Sequence, residues 1–461
     1  MWFLVKNMDN TRELAESKIG PLMLKFYIPA FIGVIANTLY NIVDRIFIGR
    51  GVGAEALSGV SVVFPIMLIM MGFGMLLGIG AGVMISINLG RRNHKRADQI
   101  LGTGFVMMLI VSALLTLLGF ALKKPILRSF GATDAIFGYA NDYLNIILFG
   151  TVFQMVGFSL NNIIRSEGNA KIAMVSMLLS AGINVVLNPI FIFGLGWGVK
   201  GSALATVISQ IILNIWVIAH FTSSRAVVRL RKEFIKVDLK ILKEIVAIGI
   251  SPFAMQVAGS FVQGVLNTKL ITYGGDLAVG AMGIINSITS LVVMTIVSLN
   301  MASQPIIGFN YGAKMTGRVK ETLKKALIGA SLLALVSFIL IEIFAGRMVD
   351  LFNTSSPELA NIAVPGLRVF ILAMPLGGFQ IVMGNYFQSV GKAKIAMMIT
   401  LLRQVFVLFP LLLFFPAIFG LKGIWIASPV SDSVAAIIVS FFLVKEWRKL
   451  NRMLQPVKNE E

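Results

Sequence analysis

Two carboxylates lie inside long apolar stretches of this 461-residue chain, and their position suggests chemistry. Asp44 ends the segment Asn37-Thr-Leu-Tyr-Asn-Ile-Val-Asp44, and Asp432 ends the segment Ala427-Ser-Pro-Val-Ser-Asp432. A charged side chain inside a membrane-spanning helix costs about 2.5 to 3.5 kcal/mol, so an acid at this depth is expected to have a function. Burial favours the neutral form of a carboxyl group and a nearby cation favours the ionised form. Such a residue can therefore exchange a proton for Na⁺ or for a cationic substrate.

Asp44 belongs to a polar stripe on its predicted helix. The stripe comprises Asn37, Tyr40, Asn41 and Asp44, spaced i, i+3, i+4 and i+7 and therefore on one helix face. It should face protein or water, with Asp44 about 7 Å below the outer membrane boundary at 1.5 Å per residue. The alternative is a salt bridge to Arg45, although consecutive helical residues point in different directions. For Asp432, a packed helix end or a bound water would be an equally good explanation.

A second group of polar side chains falls within two neighbouring apolar stretches of the same half. Its members are Asn184, Asn188, which precedes Pro189, Thr206 and Gln210. A proline within a span frees a backbone carbonyl, which can bind a cation or a neighbouring helix. Hydrogen bonds between helices would explain each residue singly. Their occurrence in the same half as Asp44 favours a shared function.

The elements that must position these residues are membrane-spanning helices. Hydrophobic residues make up 57% of the chain and charged residues 13%, against roughly 25% charged residues in soluble proteins. We predict spans at about 22–49, 55–88, 98–122, 136–163, 171–194, 198–222, 244–272, 277–310, 322–346, 360–388, 395–418 and 422–445. The glycines between Gly72 and Gly82 are expected to let helices pack closely.

Several kinds of chemistry are excluded or disfavoured. The chain has no cysteine, so disulfides, thiolate metal sites and cysteine nucleophiles are excluded. It contains no Walker motif for nucleotide hydrolysis, and His94 and His220 are expected in or beside loops, outside any metal-binding or hydrolytic cluster. We therefore predict that the protein is not an enzyme and has no cofactor other than a coupling ion.

The basic residues predict the orientation of the protein. The net charge is +19, but the Lys and Arg residues are concentrated in alternate loops, which indicates membrane topology and not nucleic-acid binding. The positive-inside rule places these loops and both termini in the cytoplasm, in a multi-pass protein of the inner (cytoplasmic) membrane. We predict an N-lobe over 1–222, a basic linker over 223–243, and a C-lobe with a cytoplasmic tail over 244–461. An amphipathic helix on anionic headgroups is one interpretation of the linker.

The two halves are copies of one another at an offset of about 222 to 223 residues. The run Ala170-Lys-Ile-Ala-Met174 recurs as Ala393-Lys-Ile-Ala-Met397, and Gly198-Val-Lys-Gly201 faces Gly420-Leu-Lys-Gly423. Six helices per half give both copies the same orientation. We therefore predict an all-α integral membrane protein with twelve transmembrane helices in two six-helix lobes, related by a pseudo-twofold parallel repeat.

These motifs resemble the MATE (multidrug and toxic compound extrusion) family, particularly its prokaryotic DinF-like and MepA-like branches. The matching features are Pro29 with Thr38-Leu-Tyr-Asn41 and Asp44, Asn162 with Arg165 and Glu167-Gly168, Asn184 through Asn188-Pro-Ile-Phe191, and Gly198-Val-Lys-Gly201 with Ala205-Thr206. The resemblance covers nearly the whole chain, and the ordered set of motifs is highly specific.

The resemblance implies a V-shaped pair of lobes that exports cationic amphipathic compounds in exchange for H⁺ or Na⁺ by alternating access. In similar proteins the coupling site corresponds to Asp44, Asn184, Asn188 and Thr206. Related sequences commonly have Asp at the position of Asn188, so this chain has one carboxylate fewer, which favours protons. We predict polar cleft positions at Asn37, Tyr40, Asn41, Asn162, Gln210, Gln256, Asn267 and Asp432.

Other functions remain open. A lipid-linked oligosaccharide flippase has a similar plan, but such flippases usually have basic residues in the cleft, whereas the basic residues of this chain lie mostly in loops. A membrane-embedded transferase would need acid, histidine or metal clusters that these short basic loops do not supply. We expect a monomer whose partners are small cationic or amphipathic substrates and the bilayer.

Overall fold

The structure is a computed structural model that describes residues 11–352 and 357–454, and these residues are almost entirely helical. The helices are α1 (Ile19–Gly51), α2 (Ala54–Gly90), α3 (His94–Ser129), α4 (Asp134–Ser166), α5 (Ala170–Pro189), α6 (Gly198–Thr222), α7 (Leu239–Gly312), α8 (Thr316–Asp350), α9 (Pro357–Phe370), α10 (Met374–Ser389), α11 (Ala393–Leu401), α12 (Phe409–Phe419) and α13 (Leu421–Leu454). A π-helical turn, Ile190–Gly194, prolongs α5, and another, Leu402–Leu408, joins α11 to α12.

These helices form twelve spans within the described residues, as predicted. The 74 residues of α7 are long enough for two spans, and the helix breaks at Gly275, whose φ of 66° glycine adopts without strain. The helices α9 and α10 meet at a bend of 53° and together make one span, and Ala393–Phe419 makes another. Each of the remaining helices is long and apolar enough to cross a bilayer, so the chain is a multi-pass membrane protein.

The helices belong to two compact units. Unit 1 comprises Met1–Ser17 and Leu24–Phe253, and unit 2 comprises Lys18–Met23 and Ala254–Glu461. Within unit 1, α4 packs along both α2 and α6, and within unit 2, α10 packs along both α8 and α13. The fourth span of each half is thus the central helix of its unit, as expected for two copies of one scaffold.

Small residues allow α2 and α4 to lie in close contact. Gly74, Gly78 and Gly82 recur every four residues on one face of α2, and a Cβ added to Gly78 would lie 2.6 Å from the Cα of Ser159 on α4. The hydroxyl of Ser159 donates a hydrogen bond to the carbonyl of Gly74 at 2.9 Å. The packing role predicted for these glycines is therefore seen in the contacts.

The predicted linker is not an amphipathic helix, so that interpretation is wrong. Among residues 223–238 the only helical element is the three-residue 3₁₀ turn Lys232–Phe234. Two buried carboxylates of unit 1 hold the segment instead: Asp98 accepts from the backbone N–H of Arg229 at 2.8 Å, and Glu167 from that of Val228 at 3.1 Å. Because a helix would bond these N–H groups internally, the tertiary contacts favour an extended path.

Asp238 marks the start of α7. Its Oδ1 accepts hydrogen bonds from the backbone N–H groups of Lys240 at 2.9 Å and Ile241 at 3.1 Å. The hydrogen bond from Ile241 is the main reason that the pKa of Asp238 is lowered from its usual value. The capping interaction is therefore fully present above the ordinary aspartate pKa and is lost only as the pH falls through the lowered one.

We predict that Gly78→Ala destabilises the protein by about 1 to 3 kcal/mol, because the new methyl group would overlap the backbone of α4. The matched control is Gly182→Ala on α5, where an added Cβ meets nothing within 4 Å. Alanine should be neutral or slightly favourable there. Thermal unfolding in detergent micelles measures both, and equal midpoints for the two variants would contradict the close packing of α2 on α4.

Candidate functional site

The side chain of Asp44 is held between three helices of unit 1. Asp44 lies in the last third of α1 and is only 8% exposed. The hydroxyl of Ser202, in the first turns of α6, donates a hydrogen bond to Asp44 Oδ1 at 2.5 Å. The side chain of Asn188 on α5 also interacts with the same carboxyl group. The carboxylate therefore connects α1 to both α5 and α6.

The hydrogen bonds continue from Asn188 along α5 and across to α6. Asn188 Nδ2 donates to Asn184 Oδ1 at 2.9 Å, and Asn184 Nδ2 donates to Thr206 Oγ1 at 3.2 Å. Residues four apart share a helix face, so α5 presents both asparagines while α6 presents Ser202 and Thr206. The structure thus brings Asp44, Asn184, Asn188 and Thr206 into one network, and Ser202 completes it.

No basic side chain neutralises Asp44 by direct contact. Within the described residues, no Lys, Arg or His nitrogen lies within salt-bridge distance of its carboxylate. Arg45 instead places its guanidinium over the ring of Phe64, 4.8 Å from the centroid. The alternative of an Asp44–Arg45 salt bridge is therefore wrong. The donors that contact the carboxylate, Ser202 and Asn188, are neutral.

The network has oxygen atoms that could bind a cation. Asn188 Oδ1 is buried and has no hydrogen-bond partner among the described residues. Beside the network lies a cavity of about 20 Å³, lined by Tyr40, Thr206 and Gln210 among others. Such a volume accommodates about one water-sized group. Carboxylate, amide and hydroxyl oxygens suit a proton carrier or Na⁺, but the set carries a single formal charge.

The polar stripe of α1 divides between this site and the helix surface. Tyr40 lines the small cavity and lies close enough to Asp44 to interact with its charge. Asn41 Nδ2 donates to the backbone carbonyl of Asn37 at 2.7 Å, and Asn37 is exposed. Asn37 therefore lies outside the network around Asp44, and its role in substrate binding stays a prediction.

Another predicted cleft residue, Asn162, lies at the opposite end of unit 1. Its Oδ1 accepts a hydrogen bond from Arg165 at 2.9 Å, in the last turns of α4. The nearby His220, expected in or beside a loop, is buried at the end of α6, and its Nε2 lies 2.5 Å from Glu167 Oε1. These contacts join the ends of α4 and α6 and are separate from the Asp44 network.

The remaining predicted positions belong to unit 2. Gln256 accepts a hydrogen bond at its backbone carbonyl from Ser260, and the exposed Asn267 accepts from Gln263. Their role in binding substrate stays a prediction.

Asp432 has a partner that the sequence reasoning missed. The guanidinium of Arg403, in the π-helical turn of span 11, forms a salt bridge with the Asp432 carboxylate. The Nε2 of Gln380 donates to the backbone carbonyl of Asp432 at 2.5 Å. Asp432 is 5% exposed and its charge is balanced within unit 2. The two buried acids therefore differ, because only Asp432 has a paired base.

Sequence reasoning also missed Ser202. The available signal was spacing, because Ser202, Thr206 and Gln210 follow one another every four residues on α6, as Asn184 and Asn188 do on α5. A serine in a membrane helix usually bonds its own backbone, however, as Ser209 does to the carbonyl of Ala205. The spacing alone does not identify which hydroxyl reaches another helix.

The family model described as MatE matches the chain twice, over residues 29–190 and 247–413, once in each half. Among characterised sequences, the multidrug export protein MepA of Staphylococcus haemolyticus (strain JCSC1435) is 28% identical to the chain over 428 residues. The aligned region covers 93% of this chain and 94% of that protein.

Solved structures of two transporters are similar over almost the whole chain. One is a multidrug resistance MATE family transporter of the MOP superfamily in an outward-facing conformation, with 26% identity, a TM-score of 0.89, and coverage of 95% of this chain and 98% of that chain. The other is a MOP superfamily transporter from Pyrococcus furiosus, with 26% identity, a TM-score of 0.89, and coverage of 96% and 98%. The reversed polarity of that protein's binding pocket is described as suggesting a different function.

We predict that Ser202→Ala destabilises the protein by about 1 to 3 kcal/mol, because it removes a hydrogen-bond donor from a buried carboxylate. Ser209→Ala on the same helix is the matched control: that hydroxyl is also buried but bonds only within α6, so its loss should cost less than about 1 kcal/mol. Unfolding in detergent micelles distinguishes the two variants. Equal losses would indicate that the contact between Ser202 and Asp44 contributes nothing specific.

Proposed function

Because the chain belongs to the MATE (MatE) family, we propose that it is a secondary active multidrug efflux transporter that exports cationic amphipathic compounds in exchange for H⁺. The names of the similar MepA protein and of the outward-facing MATE transporter support export of drugs. One observation supports ion coupling in this chain: the buried carboxylate of Asp44 is bound by neutral donors and has no base in direct contact among the described residues.

The coupling step that we propose is a change in the proton on Asp44. In the ionised form the carboxylate accepts a hydrogen bond from the hydroxyl of Ser202 and interacts with the amide of Asn188. A protonated carboxyl group is also a donor, and the unpartnered Oδ1 of Asn188 is an acceptor next to it. Gain or loss of one proton would thus change the bonds that hold α1 to α5 and α6. Such a change could bias a transporter between two conformations.

The donor set favours H⁺ over Na⁺ as the coupling ion. A proton needs one carboxylate, whereas Na⁺ needs several oxygen ligands and is held more strongly as their negative charge increases. Asn188 and Asn184 supply neutral amide oxygens, so Asp44 provides the only formal charge of the network. We therefore place Na⁺ second.

The orientation that we propose has both termini in the cytoplasm and the protein in the cytoplasmic membrane. Basic residues follow each even-numbered span, in the turns after α2, α4, α7 and α10, in the segment 225–243 and at the end of α13. The positive-inside rule assigns these ends to the cytoplasmic side. The substrate would be a small amphipathic cation, and we infer a monomer that works within the bilayer.

A flippase for lipid-linked oligosaccharides is the second candidate. Arg403 favours it, because a base in the middle of an apolar span could contact a pyrophosphate group. The Pyrococcus furiosus transporter, with its reversed pocket polarity, illustrates that similar scaffolds differ in this respect. The pairing of Arg403 with Asp432 argues against this candidate, since the salt bridge balances the charge.

We predict that Asp44→Asn reduces export of tetraphenylphosphonium driven by a proton gradient to the level of protein-free liposomes. The amide keeps the shape of the side chain but cannot gain or lose a proton. Reconstituted vesicles with separately imposed H⁺ and Na⁺ gradients measure this loss directly. The variant should remain folded, because an amide can still accept the hydrogen bond from Ser202.

The matched control is the double variant Asp432→Asn with Arg403→Gln, which removes the second acid predicted within a span together with its base. It should keep the proton dependence of the wild-type protein, because this pair is balanced and lies in unit 2. Proton-driven export by Asp44→Asn would refute coupling through Asp44. Movement of a lipid-linked oligosaccharide by the wild-type protein, without export of the cation, would establish the flippase instead.

A further inference from the structure

Unit 1 contains an open groove that takes no part in the Asp44 network. Its volume is about 610 Å³, and it lies between the end of α1, the beginning of α4 and the segment leading into α6. Two charged residues, Asp142 and Lys200, line it together with the aromatic side chains of Tyr139 and Trp197. One turn further along the same helices, Ile146 and Leu204 supply apolar lining.

The groove lies at the level where a bilayer changes from hydrocarbon to headgroups. From Asp142 to the far end of α4 at Ser166 the helix rises about 36 Å, and from Lys200 to the end of α6 at Thr222 about 33 Å. The hydrocarbon core is about 30 Å thick. If the basic helix ends lie at one interface, Asp142 and Lys200 lie at the other, and Trp197 and Tyr139 are typical of that level.

The two charges form an exposed pair. Lys200 Nζ lies 3.2 Å from Asp142 Oδ2, and the side chains are 57% and 39% exposed. An exposed pair of this kind contributes little to stability by itself, so each charge can exchange its partner for a ligand at low cost. A ligand that carries both a positive and a negative group would satisfy both residues at once.

We propose that this groove binds the headgroup of a zwitterionic phospholipid from the leaflet opposite the basic loops. The ammonium group would contact Asp142, the phosphate would contact Lys200, and the lipid chains would lie along Ile146 and Leu204. An amphipathic cation alone would be opposed by Lys200, and an anionic lipid by Asp142, so the neutral pair of charges selects a dipolar headgroup.

The internal repeat shows that the site is specific to the first half. Lys200 has its counterpart in Lys422, within Gly420-Leu-Lys-Gly423. At offsets of 222 and 223 residues, however, Asp142 corresponds to Val364 or Pro365, neither of which is acidic, and at an offset of 222 Trp197 corresponds to Phe419. The second half therefore retains the base without the acid, and Lys422 provides a matched control for the charge of Lys200.

The groove shares no residue with the Asp44 network but lies next to it on α6. Lys200 and Ser202 are both in the first turns of α6, two residues apart, and Ser202 donates the hydrogen bond to Asp44. A bound lipid would hold this end of α6 in place. Lipid binding itself does not rest on the proposed transport activity, so it can be tested separately.

The test is lipid binding to the purified full-length protein by native mass spectrometry, with palmitoyl-oleoyl phosphatidylethanolamine and palmitoyl-oleoyl phosphatidylglycerol as probes. The wild-type protein should retain one more phosphatidylethanolamine than phosphatidylglycerol. Asp142→Asn and Lys200→Gln should each weaken retention of phosphatidylethanolamine about fivefold, the effect of one exposed charge contact. Lys422→Gln should leave it unchanged.

Two further arms separate the lipid site from simpler explanations. The double variant Asp142→Lys with Lys200→Asp keeps an ion pair but exchanges the positions of its two charges. It should fold normally because the pair is retained. It should bind the lipid more weakly than the wild-type protein because the order of the charges no longer matches the headgroup. Recovery of wild-type binding in this variant would overturn the proposed headgroup orientation. Equal retention by the wild-type protein and both single variants would overturn the site. If soluble phosphoethanolamine bound as tightly as the phospholipid, the lipid chains would contribute nothing, which would also overturn the proposed lipid site.

Discussion

An ionised carboxylate in a membrane-spanning helix must find its hydrogen-bond donors within the protein, because lipid offers none. In unit 1 the hydrogen-bond donors to Asp44 lie on two neighbouring helices. This requirement explains the order of the polar residues on α5 and α6. Ser202 reaches the carboxylate directly, and the chain through Asn188, Asn184 and Thr206 satisfies most of the amide groups that surround it. Removal or addition of one proton therefore affects three helices at once. This sensitivity makes the site suitable for coupling.

The acids buried within spans lie at different positions in the two halves of the chain and have different partners. Asp44 corresponds to the exposed Asn267 of the second half, and Asp432 corresponds to Gln210 of the first. Asp432 is matched with Arg403 inside unit 2, and removing one member of such a pair leaves an uncompensated charge. Asp44 has only neutral donors in contact. The internal repeat thus explains why the two halves share one helical scaffold. The different partners of Asp44 and Asp432 explain why we assign coupling to the first half and not to the second.

Much of the fold followed from the sequence because hydrophobic length in a bilayer is a strong constraint, and all twelve predicted spans are present in the described residues. Helical spacing also brought Asn184 and Asn188 to one face. What the sequence could not supply depends on contacts between distant segments. The path of residues 223–238 is set by Asp98 and Glu167, which lie far away in the chain. The partner of Asp432 is likewise on another helix, 29 residues earlier.

The measurement closest to the central claim is the release of protons when the purified protein binds tetraphenylphosphonium in weakly buffered detergent solution. If Asp44 exchanges a proton for a cationic substrate, the wild-type protein should release up to about one proton per bound cation at a pH where Asp44 is protonated. Asp44→Asn should bind the cation without releasing any. Binding without proton release by the wild-type protein across the pH range, or undiminished release by Asp44→Asn, would contradict the assignment of coupling to this carboxylate.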